Sequence, residues 1–180
     1  MKTSDTKLFL LPMMLFLAFS SLSEANPSVC YAPSAQQAAQ YSFIQLAQKA
    51  IFKKNDDSSY TLTLKRIAPY VTYFSDRPNR TSQSMPLTKF ISLWNTKGAK
   101  GFQGNPPNAD IHGIKFSLFS NHQQYNFLLE LSNPQYDETF KTLTYTAKPL
   151  QNSTVPTTQS DIVYDVTLFI DGVSMADESL

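Results

Sequence analysis

A single cysteine, Cys30, stands in a chain of 180 residues, so no internal disulfide can close and the fold must hold without covalent staples. Two histidines, His112 and His122, with one remote cysteine do not supply zinc-ligand spacing, and no acidic run has the spacing of a calcium loop. The residues therefore imply no metal site and no cofactor. Glycine is scarce: five in all, three of them between Gly98 and Gly104, where Lys97 and Lys100 do not complete a phosphate-cradling Gly-x-x-x-x-Gly-Lys-Ser/Thr pattern. Charge of one sign is also missing. Fifteen basic against fourteen acidic residues leave a net charge of +1, and the pairs Lys53-Lys54 and Lys65-Arg66 are too short to make a nucleic-acid-binding surface. No Gly-x-Ser-x-Gly elbow is present, so no catalytic residue can be assigned by motif.

The longest apolar run, Leu8 to Phe19, follows Lys2 and Lys7, falls short of the ~20 residues of a spanning helix, and leads to Ser23-Glu24-Ala25. These features predict a signal peptide over residues 1–25, export to the periplasm or the extracellular space, and no transmembrane segment after cleavage. Pro27-Ser28-Val29 before Cys30 lacks the small residue that lipid attachment needs. Residues 26–40 read as a flexible N-terminal segment, 41–172 as a single β-rich domain and 173–180 as a frayed tail. A chain of this size buries roughly 68–70 % of its unfolded surface, enough for one core.

Many short β-branched and aromatic runs separated by turns predict an all-β fold, a β-sandwich or open barrel, with one short α-helix. Ala35, Ala38, Ala39, Ser42, Phe43, Leu46, Ala47, Ala50 and Ile51 follow helical spacing, but mostly with alanines, which bury little. Taken alone, that spacing predicts a helix. Tyr60 to Lys65 alternates with Leu62 and Leu64 on one face, and Asp161 to Asp171 alternates with Ile162, Tyr164, Val166, Leu168 and Ile170 on one side. Ala109 to Phe119 is a strand in which Gly113 marks a bulge. Tyr125 to Leu131 and Thr142 to Ala147 form a hairpin with Asn133-Pro134 as a turn. Pro86 opens the one helix, where Leu87, Phe90, Ile91 and Trp94 share a face, and Gly98 to Pro107 reads as a flexible connector.

Tyr70 to Arg80 is the densest stretch. An aromatic strand stops at Pro78, and Asp76 lies among Arg77 and Arg80, close enough for an ion pair that either locks the turn or presents a recognition surface. Tyr73, Asp76, Arg77 and Arg80 are the candidate binding residues, with Asn105 and Asn108 of the Asn-Pro-Pro-Asn run on the same rim. The competing reading is a secreted hydrolase in which Asp110 and His112, two apart on a strand and so facing one way, act with or without Ser75.

Thr61-Leu-Thr-Leu-Lys65, Ala68-Pro69, Tyr73-Phe-Ser-Asp-Arg-Pro78 with Arg80, Phe90 to Trp94 and Pro106-Pro-Asn-Ala109 resemble, in order and spacing, an uncharacterised family of small secreted bacterial and archaeal proteins. The resemblance spans most of Tyr41 to Leu150, with Val166 to Asp171 similar to the family's closing strand. It implies an exported, mostly β protein, with strands at Tyr41 to Leu46 and near Lys49 to Lys53 preferred over the helix that local spacing suggests, and supplies no activity. Two positions depart from the family pattern: Arg66 stands where glycine is usual, and Gly104 where an acidic residue is. The sequence thus points to an exported noncatalytic binding or interaction module, taking an extracellular ligand or serving as an envelope component.

Overall fold

The computed structural model describes residues 39–55, 57–116, 122–150 and 160–175. All belong to the second of two units into which the chain divides, residues 1–35 and 36–180. The expected signal segment, most of the lead-in and Cys30 lie outside the described residues.

Alternating apolar residues build eight antiparallel strands: β1 Ala39–Lys54, β2 Tyr60–Ile67, β3 Tyr70–Ser75, β4 Ser82–Pro86, β5 Asn108–Lys115, β6 Gln123–Asp137, β7 Thr142–Pro149 and β8 Ser160–Met175. The all-β class with one short helix is as expected, and the pairings give it the form of a barrel. Hydrogen bonding runs β2-β7-β6-β5-β8-β1, and β1 pairs back onto β2, so six strands form a continuous ring. Pairing is steeply staggered. A path from Lys54 through Tyr60, Ala147 and Leu131, then along the neighbouring pairs Glu130–Asn108 and Ala109–Ile170, returns to β1 at Phe43. Inward residues fill the ring. Phe52 on β1 meets Phe127 on β6 edge-on across the interior at 5.6 Å between centroids.

β1 is one 16-residue strand, where two shorter ones were expected. Along it the buried face changes parity, from Tyr41, Phe43, Gln45 and Ala47 to Ala50 and Phe52. The neighbours change in step. Arg66 on β2 and Asp165 on β8 both have positive φ, 51° and 49°, and the register skips Gln48, which lies between them. One further strand out, the β5–β8 register slips between His112 and Ile114, around the Gly113 predicted as a bulge. A Cβ at Gly113 would lie 2.2 Å from a Val163 methyl, so only glycine fits. This seam corrects the strict alternation expected for β8. Val163, Val166, Leu168, Ile170 and Val173 are buried, while Ile162 is 37 % exposed. Asp165 adopts the left-handed conformation, which turns the strand over by one residue.

Helix α1, Leu87–Ile91, continues as a 3₁₀ turn over Ser92–Asn95, with Pro86 as its N-cap residue. Phe90 packs on Phe43 and Trp94 on Tyr145, and the Trp94 indole N–H donates to the Leu131 carbonyl at 3.3 Å. The helix therefore stoppers the interior where β1 leaves β2 and pairs instead with β3.

Three further expectations are corrected, and one strand is additional. Asn133-Pro134 is not a turn: β6 runs through it with a register shift, Asn133 at φ 50°, because a bulge tolerates a proline without an N–H. The hairpin turn comes later, at residues 138–141. The tail does not fray at 173, since Val173 is buried and pairs with Tyr41. The Gly98 to Pro107 stretch is folded, not a loose connector: Phe102 is buried and its N–H donates to the Leu93 carbonyl at 2.8 Å. Strand β4 carried no sequence signal; its Ser-Gln-Ser run is exposed and is a strand because β3 supplies a template.

Candidate functional site

The β3–β4 connection places Asp76, Arg77 and Arg80 at the surface. They do not form the expected ion pair. Asp76 instead accepts the Arg77 backbone N–H at 2.7 Å, the Arg80 N–H closes the turn onto the Asp76 carbonyl at 3.1 Å, and the ion pairs among the described residues are His112–Asp110 and Lys115–Asp161. A short carboxylate beside its own turn reaches that amide more readily than it reaches two long, solvated guanidiniums. Tyr73 is corrected too. It is a core residue, 2 % exposed, stacked on Tyr41 and Phe43, with its hydroxyl donating to Gln83 at 2.6 Å. Burial pushes its phenol above the ordinary value. It buttresses the turn and cannot present a ligand surface.

Asp76 and Arg77 line a cleft of about 230 Å³ with Ala39, Gln40, Ser75, Pro78 and Asn79. Asn105 and Asn108 line a larger one of about 510 Å³, between the Gly98 to Asn108 loop, the start of β5, the middle of β6 and the final stretch of β8 from Asp171 to Ser174. Gln40 borders both. The two turns thus sit on one end of the barrel, as expected of a shared rim, but they open into neighbouring clefts.

The larger cleft adds residues that sequence reasoning missed: Gln40, Glu130, Asp171 and Ser174. Their signal was the alternation itself. Glu130 lies between buried Leu129 and Leu131, and Asp171 follows buried Ile170, so both point outward. Asn108 pairs with Glu130 on one side and precedes Ala109, the partner of Ile170, on the other, so it sits between the two acids on three adjacent strands. Among the described residues, no side chain of Gln40, Asn105, Asn108, Glu130, Asp171 or Ser174 makes a hydrogen bond or ion pair. Gly172 forms part of the wall because its Cα abuts β1: a Cβ there would lie 1.2 Å from the Tyr41 carbonyl oxygen.

Asp110 and His112 do couple, with Nε2 and Oδ2 2.9 Å apart. The pair lies on the outer wall, with exposed Leu128 and Phe169 on the flanking strands, and it lines none of the clefts described here. Ser75 is not within its reach. The serine is buried, hydrogen-bonded to Thr81 Oγ1 at 2.9 Å, and on a strand separated from β5 by β8 and β1, roughly 14 Å of sheet.

The described residues contain no group of three or more His, Cys, Asp or Glu side chains placed to hold a metal ion. No described helix is long and apolar enough to cross a membrane. No protein-family model matches this chain, and none of the curated proteins or solved structures compared with it matches either.

Proposed function

We propose that this protein is an exported, noncatalytic binding module whose ligand site is the cleft at the Asn105 and Asn108 end of the barrel. One observation carries the reading: a concavity of about 510 Å³ gathers six polar side chains with no partners among the described residues. Clefts of ~300–1,000 Å³ with convergent polar groups are where small ligands bind. Polar groups engaged elsewhere in the fold would have little left to offer a ligand. The Asp76 to Arg80 turn forms the outer rim through Gln40. Export rests on the basic and apolar character of residues 1–25.

The hydrolase alternative has a base in hydrogen-bond contact with an orienting acid, but among the described residues the pair lines neither of the two clefts above, and Ser75 is out of its reach. An amide-resolved NMR titration of the purified protein with a panel of small polar ligands tests the two readings together. Shifts centred on Asn105, Asn108 and Ser174, lost in Asn108→Ala, are expected. Turnover of ester or glycoside substrates that disappears in His112→Ala would replace the binding reading with the hydrolytic one.

A further inference from the structure

Resting on that reading of the cleft, we propose that its ligand is a small polar organic molecule carrying a protonated amine. Two acids alone would not define a site. The cleft they line and its neutral polar residues indicate what they face. At about 510 Å³ the cleft is far larger than a water-sized ion requires, so the occupant is a molecule with its own skeleton.

The sign of the wall follows from its residues. Glu130 and Asp171 line it, and no lysine, arginine or histidine does; Lys97 precedes the covering loop and Lys100 lies within it, neither forming part of the lining. The chain as a whole is near neutral, so this negative wall is a local feature and not the reflection of an acidic protein. Among the described residues Asp161 is paired with the Lys115 ammonium, and Asp110 is hydrogen-bonded to His112. Glu130 and Asp171 are left open. Unpaired carboxylates in a concave wall focus a negative potential outward and favour a cation there.

Spacing narrows the class further. Glu130, Asn108 and Asp171 occupy three neighbouring strands, which puts the two acid-bearing backbones about 10 Å apart with an amide between them. Such a row accepts an ammonium at either wall and offers the Asn108 amide to a hydroxyl or a second polar group in the middle. Asn105, Gln40 and Ser174 extend the same hydroxyl-matching chemistry. An amino sugar and an aliphatic polyamine share this ammonium chemistry, and the assay separates them.

The experiment titrates the purified protein with three probes: the glucosamine disaccharide, its fully N-acetylated counterpart, and spermidine. Binding is followed by NMR shifts of the Asn105 and Asn108 amides. The expected result is binding of at least one amine probe, at least tenfold tighter than the neutral acetylated disaccharide. That preference should be lost in the double variant Glu130→Gln, Asp171→Asn and kept in Glu138→Gln, which removes an exposed acid of the β6–β7 turn, outside this cleft. Disaccharide binding without spermidine binding assigns the amine to a sugar, and the reverse assigns it to a polyamine. If the acetylated disaccharide binds as tightly as the amine, and Asn108→Ala weakens both, the ammonium inference is overturned while the cleft remains a site. If no probe moves either asparagine amide, the inference is overturned, and shifts centred elsewhere overturn the cleft reading with it. Glu130 and Asp171 have no partners among the described residues, so both variants should retain the parental unfolding midpoint, which serves as the folding control.

Discussion

Lys115→Met should destabilise the protein through Asp161, a residue it leaves behind. The Lys115 ammonium donates to Asp161 Oδ1 at 2.6 Å and to the Tyr125 hydroxyl at 3.3 Å, and the Asp161 side chain is only 6 % exposed. Removing one partner of a buried ion pair strands the other charge and costs about 3–5 kcal/mol. Lys115 is itself one-third exposed, so water enters more easily once it is gone and the lower end applies, about 3 kcal/mol. At ~2–4 °C per kcal/mol, the unfolding midpoint at pH 7 should fall by roughly 6–12 °C. The double variant Lys115→Met, Asp161→Asn should recover much of the loss, because no ion is then left stranded. The hydrogen bond to Asp161 is the main cause holding the Lys115 ammonium above its ordinary value of 10.5. Its stabilising contribution is therefore complete below that value and disappears as pH rises through the higher folded-state value. The gap between parent and Lys115→Met should be flat from neutral pH to about 10 and narrow only beyond. Circular dichroism melts across that range decide the matter. A midpoint within about 2 °C of the parent, or a double variant no better than the single, would refute the argument.

Substitutions at four further sites, one of them combined with a second change, probe the backbone and the interior. At Arg66, φ of 51° suits glycine: Arg66→Gly should hold or raise the melting midpoint, whereas Arg66→Val should lose about 1–2 kcal/mol, and equal tolerance of both would sink the strain account. Gly172→Ala forces a methyl onto the Tyr41 carbonyl, so urea unfolding should register more than the ~1–3 kcal/mol of ordinary overpacking. Gly98→Ala, with open space around it and only φ of 72° to oppose it, should cost about 1 kcal/mol in the same assay. The Tyr145 hydroxyl donates to Gln45 Oε1 at 3.0 Å inside the barrel, and Gln45 Nε2 has no partner. Tyr145→Phe should cost about 1–3 kcal/mol, and adding Gln45→Leu should restore stability rather than reduce it further.

What could be read from the residues was local. Leu62 and Leu64 face the core as their alternation implies, Phe90 and Trp94 mark the inner face of the one helix, and Gly113 marks a bulge. Helical spacing from Ala35 to Ile51 competed with the preferred strand reading because positions 41, 43, 45 and 47 also fit a period of two, and pairing with neighbouring strands decides between them. Longer-range facts had no local signature. Ring closure depends on β1 pairing with both β2 and β8, and the Lys115–Asp161 pair joins residues 46 positions apart. In the candidate site, Asn105 and Asn108 were legible from their turn chemistry. Glu130 and Asp171 were not, because an outward acid on a strand looks the same in sequence whether it faces open water or a cleft. Tyr73 was misassigned for the converse reason: an aromatic beside a charged turn gives no hint of which way its ring points.

The seam through Gln48, Arg66, Asp165 and Gly113 also bears on how the barrel moves. There the regular ladder is interrupted on adjacent strands at one level, while regular pairing resumes on either side, broken on β1 and β8 only by a second shift between Tyr41 and Phe43. Backbone amides at such an interruption are the easiest for solvent to reach without global unfolding. Deuterium should enter at Gln48 and Asp165 well before it enters at Phe43 or Phe52. The wall would then behave as two stiff shells joined along a compliant line, with the stoppered mouth and the polar cleft both carried by the upper shell.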